Sequence, residues 1–526
     1  MNRDEYKKRY EMNRRQFLKL AGAGGVALSS ASLLGAGSLF PAHAAVEGKN
    51  AEERAINALK ELKPKMKGDT LNILLPAGIE GAFETSKPWL LDTTGIKVNI
   101  TVIPLNELGT KCMNLAVTRS KAFDMMLPSP YSIPDLVEAK LLADLTPWAK
   151  KYNVGFGGPD GVIPPLATIG MYKEKLYGLY TDGDENSLHL RRDWLGEPGN
   201  QKAFADKYGY KLEPPVLWEQ LFDQIKFFTD KDKGTWGAWL YISPYYAKWT
   251  FMQLLVSQGV LPLDLDMKPQ IAGPEGVKAL NELIEVKPYL HPGATTGGWS
   301  EAYKAYAEGA NIYAEYGWPS LIKYSNMTKE MGGFSKIRGK HMTAKVPGRK
   351  LKDGTILRPC RNTFSWVYTI NRYSPNQEIA YLYSQWMYSP TISVKVLPVS
   401  GGYMDPYRYN HMTKELLEQY TPYWEEAKEA LIFNINNSYP ELQIRGCEEY
   451  QTRLDEAVIA AIQGLKKPEA ALKEVEQQWD EITERYGREE QKEAWKFVTS
   501  SMFGEDLRKA MNLGNPPPIV EELLSA

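Results

Sequence analysis

The sequence predicts an α/β fold assembled as two or more lobes, and two observations carry that expectation. Between residues 70 and 127, short apolar runs of strand character alternate with helical stretches at the spacing of a parallel layer. The chain has 526 residues, of which 43% are hydrophobic, and this exceeds what one compact core usually organises. A charged helical lead-in covers 50–68. The run 70–75, Thr-Leu-Asn-Ile-Leu-Leu, reads as a first strand ending at Pro76-Ala77-Gly78. A helix continues through Trp89, and 95–102 alternates apolar and polar residues as a second strand. Residues 104–120 read as a helix and 122–127 as a short buried strand closing on Pro128-Ser129-Pro130-Tyr131. In such layers ligands bind beyond the carboxyl ends of the strands, so 76–81, with Gly78 and Glu80, and 128–131, with Ser129 and Tyr131, are expected at a crevice.

The amino-terminal segment reads as an export signal. Asn13-Arg14-Arg15-Gln16-Phe17-Leu18-Lys19 precedes a weakly apolar run that ends in Pro41-Ala42-His43-Ala44-Ala45, the layout of a twin-arginine signal cut after Ala44. Five glycines dilute the run from Leu20 to Phe40 below the apolarity of a spanning helix. No cysteine lies near the cut to accept a lipid. The expectation is a signal at 1–44, recognised by the Tat translocase, and a periplasmic protein after cleavage.

Charge and residue chemistry exclude several classes. Removing 1–44 leaves 56 basic and 61 acidic residues, a mildly acidic chain without basic blocks, which argues against nucleic acid. Cys112, Cys360 and Cys447 are far apart, so at most one internal disulfide can form, and no Cys/His cluster suggests a metal. Only His189, His291, His341 and His411 follow the signal, one to a segment, with no nucleophile elbow, P-loop or dinucleotide fingerprint. No catalytic residue, cofactor or metal is therefore expected. A folded, cofactor-bearing enzyme remains the natural rival for a twin-arginine substrate.

A series of short motifs carries a family resemblance. Thr94-Gly95-Ile96-Lys97-Val98-Asn99, Phe123-Asp124-Met125-Met126 and the run from Asp135 to Pro147 come first. Lys175-Leu176-Tyr177-Gly178-Leu179, Leu190-Arg191-Arg192-Asp193-Trp194-Leu195 and Pro215-Val216-Leu217-Trp218-Glu219-Gln220-Leu221 follow. Residues 309–318, 364–370, Gly401-Gly402 with Arg408, and a helix over 450–464 complete the order. Together they resemble the carbohydrate-type extracellular solute-binding proteins of ABC importers, the maltodextrin-binding class, over 69–486. The resemblance implies the type II periplasmic binding fold. Lobe 1 would comprise 69–180 and 365–415, and lobe 2 183–364 and 416–486, with crossings near 180–183, 362–366 and 413–418. Residues 487–526 form a carboxyl-terminal extension outside it. One departure stands out: Phe364-Ser365 occupies the place where many members have Gly-Gly before a Trp, and side chains there would narrow the cleft.

The resemblance also implies a site. Asp182, Asp184 and Glu185 fall at the first crossing, where two readings compete: a solvated acidic turn, or acceptors for ligand hydroxyls. Tyr245, Tyr246 and Trp249, after an expected strand at 239–242, are either core or a platform for the apolar face of a sugar. Tyr316 and Trp318 end the expected strand 310–316 and line the cleft by analogy, as do Trp366 at the second crossing and Arg408. The implied function is capture of a small polar solute, a sugar, oligosaccharide or polyol, by hinge closure, with delivery to ABC permease subunits by a monomeric receptor. The alternative is a periplasmic carbohydrate-acting or cofactor-dependent enzyme.

Overall fold

The computed structural model of the protein describes residues 47–329, 333–399 and 402–525. The Arg14-Arg15 pair, the segment to Ala44 and Gly401 lie outside the described residues. Nine strands build the two larger sheets among them: β1 (Thr70–Pro76), β2 (Lys97–Ile103), β3 (Met125–Met126), β4 (Gly178–Tyr180), β5 (Ser187–Arg191), β6 (Trp236–Trp239), β7 (Ile312–Gly317), β8 (His341–Ala344) and β9 (Val367–Ile370). The first sheet runs β2-β1-β3-β9-β4, with β1 parallel to β2 and β3, and β9 antiparallel to β3 and β4. The second runs β8-β5-β7-β6, with β6 parallel to β7 and the other pairs antiparallel.

Local sequence explains these elements. Leu71, Ile73, Leu74 and Leu75 of β1 are all buried, as expected of a strand covered on both faces, whereas edge strand β2 alternates between exposed and half-buried positions. The helix Glu80–Thr94 stops where Gly95 takes φ +71°, a left-handed cap open to glycine at no steric cost. The expected strand at 122–127 is regular only at Met125–Met126, flanked by the Asp124 amide on the Asn72 carbonyl at 2.8 Å, while the Asp124 carboxylate adds bonds from the Asn72 amide at 2.9 Å and the Ser374 hydroxyl at 2.5 Å. The strand expected at 239–242 begins earlier, as β6, and leaves 240–242 beyond the sheet.

The chain passes from the first sheet to the second between β4 and β5, and returns between β8 and β9. It then leaves the helices Gln377–Tyr388 and Pro390–Val396, the former packed on β9, for the helix Trp424–Asn436, which packs on β5 and β8. Residues beyond 487 form further helices that bridge distant segments. Trp495 Nε1 donates to the Leu263 carbonyl at 3.0 Å, and Lys150 pairs with Glu522 at 2.8 Å. Cys112, Cys360 and Cys447 are buried and unpaired, so the one disulfide the sequence allowed does not form. No described helix is long and apolar enough to cross a membrane.

Candidate functional site

Between the two sheets lies a cavity of about 70 Å³ lined by aromatic rings. Its first side is the backbone of Ala77, Gly78 and Ile79, directly after β1, together with Tyr403. Gly78 has φ +110°, and its carbonyl accepts the Tyr403 amide at 3.1 Å, which ties this turn to the segment that carries Tyr403. The facing side is Trp299 and Tyr303 from the helix Trp299–Tyr303, with Trp318 and Ser320 after β7. Asp184 from the first crossing and Phe364 and Trp366 from the second complete it. The rings of Trp299 and Tyr403 meet at 5.1 Å across the cleft.

Phe364 organises the aromatic wall. Its ring centroid lies 4.7 Å from Trp249, 4.8 Å from Trp318, 5.9 Å from Tyr246, 6.2 Å from Tyr245 and 6.5 Å from Trp366. Most of these pairs are edge-on or tilted, the arrangements that ring quadrupoles favour. Trp318 Nε1 donates to the Thr363 carbonyl at 3.2 Å, which ties the ring to the second crossing. Behind it, Glu315 is fully buried. Tyr241 donates its hydroxyl to Glu315 Oε1 at 2.7 Å, and Oε2 has no donor.

Burial raises the Glu315 carboxyl to about 8, with the Tyr241 hydroxyl partly opposing the shift. At this residue the folded protein therefore holds one proton more than the unfolded chain between the ordinary value near 4.5 and about 8. Stability should fall as pH rises through that window, by up to about 1.4 kcal/mol per unit, and level off above it. Glu315→Gln should flatten this part of the profile. Thermal melts from pH 5 to 9 test it, and an unchanged slope would show that Glu315 is ionised in the fold.

The residues singled out from sequence divide among several environments. Gly78, Asp184, Trp318 and Trp366 line the small cavity. Ser129, Tyr131 and Tyr245 line a neighbouring groove of about 420 Å³ that also meets Leu105. Tyr246 and Trp249 stand behind Phe364, with the Arg361 guanidinium 5.0 Å from the Trp249 ring.

Three expectations need correction. Glu80 is spent on its own turn, its Oε2 accepting the Gly78 amide at 2.6 Å. Tyr316 points to the opposite face of β7 from Glu315, against Trp218 at 5.4 Å, because successive strand residues alternate sides. Arg408 is buried away from the cavity, donating to the carbonyls of Gly155 and Asp160 and stacking on Tyr388 at 4.3 Å.

The acidic loop is no solvated turn: Asp182, Asp184 and Glu185 are all buried. Asp184 Oδ2 accepts the Ser365 amide at 2.7 Å, and Asp182 Oδ1 accepts the Asp405 amide at 2.5 Å. Burial pushes the Asp184 carboxyl up to about 7.

Trp299, Tyr303, Ser320 and Tyr403 were missed, since nothing in their local sequence marks them and they converge only through the fold. The histidines, apparently scattered, include one pair: His189 Nδ1 lies 3.3 Å from His341 Nε2 across β5 and β8. Burial depresses both rings, His189 to about 3, so both are neutral, and neither lines the cavity.

Two α/β lobes with an aromatic cavity between them, and strands of each lobe drawn from separate stretches of chain, define a receptor of the periplasmic binding type. The chain belongs to the bacterial extracellular solute-binding proteins, whose family model matches residues 82–392. Solved structures of the same fold include an ABC transporter solute-binding protein from Agrobacterium radiobacter K84 in complex with ribitol. It is 20% identical, covers 79% of this chain and 99% of its own, and has a TM-score of 0.66. Maltose-bound T. maritima MalE3 is also 20% identical, with 78% and 99% covered and a TM-score of 0.64. A solute-binding protein from Agrobacterium vitis S4 with bound D-mannitol is 18% identical, with 80% and 99% covered and a TM-score of 0.64. Comparison with curated protein sequences finds no match.

Proposed function

We propose that this protein is the periplasmic receptor of an ABC importer and that it captures a short neutral polyol. The cavity carries this reading. At about 70 Å³ it is a small cavity, sized for a short solute rather than a long oligosaccharide. Its walls offer ring faces for C–H groups, and Asp184 and Ser320 offer hydroxyl partners. Receptors of the same fold with ribitol and mannitol support the polyol class.

On this reading lobe 1 comprises 69–180 and 365–415, and lobe 2 comprises 183–364 and 416–486. The crossings near 180–183, 362–366 and 413–418 act as the hinge, and residues 487–526 are an extension. Solute contacts from both lobes favour the closed state, which the permease subunits recognise. The receptor is monomeric and returns its solute unchanged. Native mass spectrometry before and after mild unfolding should release one small, unmodified polyol. Release of an organic cofactor, or conversion of the released solute on incubation, would instead establish the enzyme.

Export by the twin-arginine route belongs to the same proposal. Changing Arg14 and Arg15 to lysine should leave folded protein in the cytoplasm with 1–44 attached, detectable by fractionation and intact mass. Normal periplasmic accumulation of the double variant would exclude that route.

A further inference from the structure

We infer that Asp182, Asp184 and Asp405 form a binding site for a hard divalent cation of the calcium class, joining the first crossing to the segment 402–408 beneath the cavity. One carboxylate oxygen from each residue lies within 4.8 Å of the others, and all three residues are buried. A cation with bonds of about 2.3–2.6 Å spans such a set. The ligand atoms are all oxygen, the preference of calcium, magnesium and manganese rather than zinc or copper.

Hydrogen bonding leaves the cluster short of positive partners. Both Asp405 oxygens and Asp182 Oδ2 are buried with no well-formed hydrogen bond, the Ser320 amide lying near Asp405. The Tyr420 hydroxyl is likewise buried without a partner. Lys323 is the nearby cation, but its ammonium donates to the carbonyls of Leu397, Val399 and Gly402, at 3.4, 3.0 and 2.6 Å, and makes no ion pair with the carboxylates. Buried carboxylates short of donors are costly, and a bound cation offsets that cost directly.

The backbone presents the carboxylates independently of any ion. Gly183 donates its amide to the Asp405 carbonyl at 3.1 Å, and a Cβ at Gly183 would lie 2.1 Å from the Pro406 carbonyl oxygen. Asp182 Oδ1 takes the Asp405 amide, and Asp184 Oδ2 takes the Ser365 amide. Two segments distant in sequence are thus clamped together with oxygens left facing one another, the preorganisation that a cation site requires.

The test is metal analysis of the purified full chain, followed by calorimetric titration of chelator-treated protein with CaCl₂ and, separately, MgCl₂. One calcium per chain is expected, with a melting temperature that falls on chelation and recovers with CaCl₂. Asp405→Asn, checked for folding by circular dichroism, should lose calcium uptake. Should it fail to fold, Asp184→Asn takes its place. Terbium luminescence sensitised by nearby tryptophans provides a second readout on the wild-type chain. Absence of uptake with an unchanged melting temperature would overturn the proposal and leave protons shared among the carboxyls. Uptake of magnesium alone would overturn the calcium class, and calcium retained by a folded variant would move the ion elsewhere.

Discussion

Trp318→Ala is expected to weaken solute binding by about ten- to a hundredfold, from the loss of a ring contact of roughly 1–3 kcal/mol. The ring lines the cavity while its indole nitrogen holds the Thr363 carbonyl and its edge meets Tyr241 at 5.1 Å. Because it is also buried, the variant should melt lower, and affinity must be measured on the folded fraction by calorimetry well below the transition. Trp194→Ala provides the contrast. That ring stacks on Tyr313 at 6.3 Å and lies under the Arg191 guanidinium at 4.9 Å, with no place on the cavity. It should lower the melting temperature and leave affinity nearly unchanged. A Trp318→Ala protein that loses stability but keeps its affinity would make Trp318 a core residue only.

The second large effect is expected at Phe364, and its sign is unusual. Phe364 and Ser365 have φ of +69° and +35°, the left-handed region that glycine enters freely and other residues enter at about 1–2 kcal/mol. The protein keeps side chains there because the Phe364 ring packs among Trp249 and Trp318, and Ser365 Oγ bonds the Tyr180 hydroxyl at 2.7 Å. Phe364→Ala removes the ring and retains the strain, whereas Phe364→Gly removes both. The glycine variant should therefore melt higher than the alanine variant, by the equivalent of about 1 kcal/mol, although glycine usually costs more. Both should weaken binding of the short solute and open room for a longer one. An alanine variant that melts higher would show that the backbone at 364 is unstrained.

Particular residues show how far sequence reasoning reached into the site. Gly78 was placed at a crevice because it follows a buried strand, and it does line the cavity, since strand ends in a parallel layer open onto the same edge. Glu80, two residues on, was placed there by the same argument, yet its carboxylate turns back to the Gly78 amide. Tyr316 and Trp318 were taken together as neighbours in one motif. Strand alternation sends Tyr316 to the far face, while Trp318 stands beyond the end of β7 and turns into the cleft. The acidic triplet left two readings open, a solvated turn, as Asp-Gly-Asp-Glu commonly is, or acceptors for ligand hydroxyls. Gly183 lets the loop approach the 405–406 backbone, which buries it.

What the sequence by itself determined is the alternation of strands and helices, the order of segments that marks the family, and the anomaly at Phe364-Ser365. These are local or collinear properties, written in periodicity, turn residues and motif order. Tertiary structure alone decided which side chains meet. Trp299, Tyr403 and Asp184 come from three segments more than a hundred residues apart, as do Asp182 and Asp405, and no periodicity relates them. It also decided the protonation state of Glu315 and the burial of the acidic loop. Those depend on how completely water is excluded when the two lobes and their crossings pack, a property of the assembled fold and of no single stretch of chain.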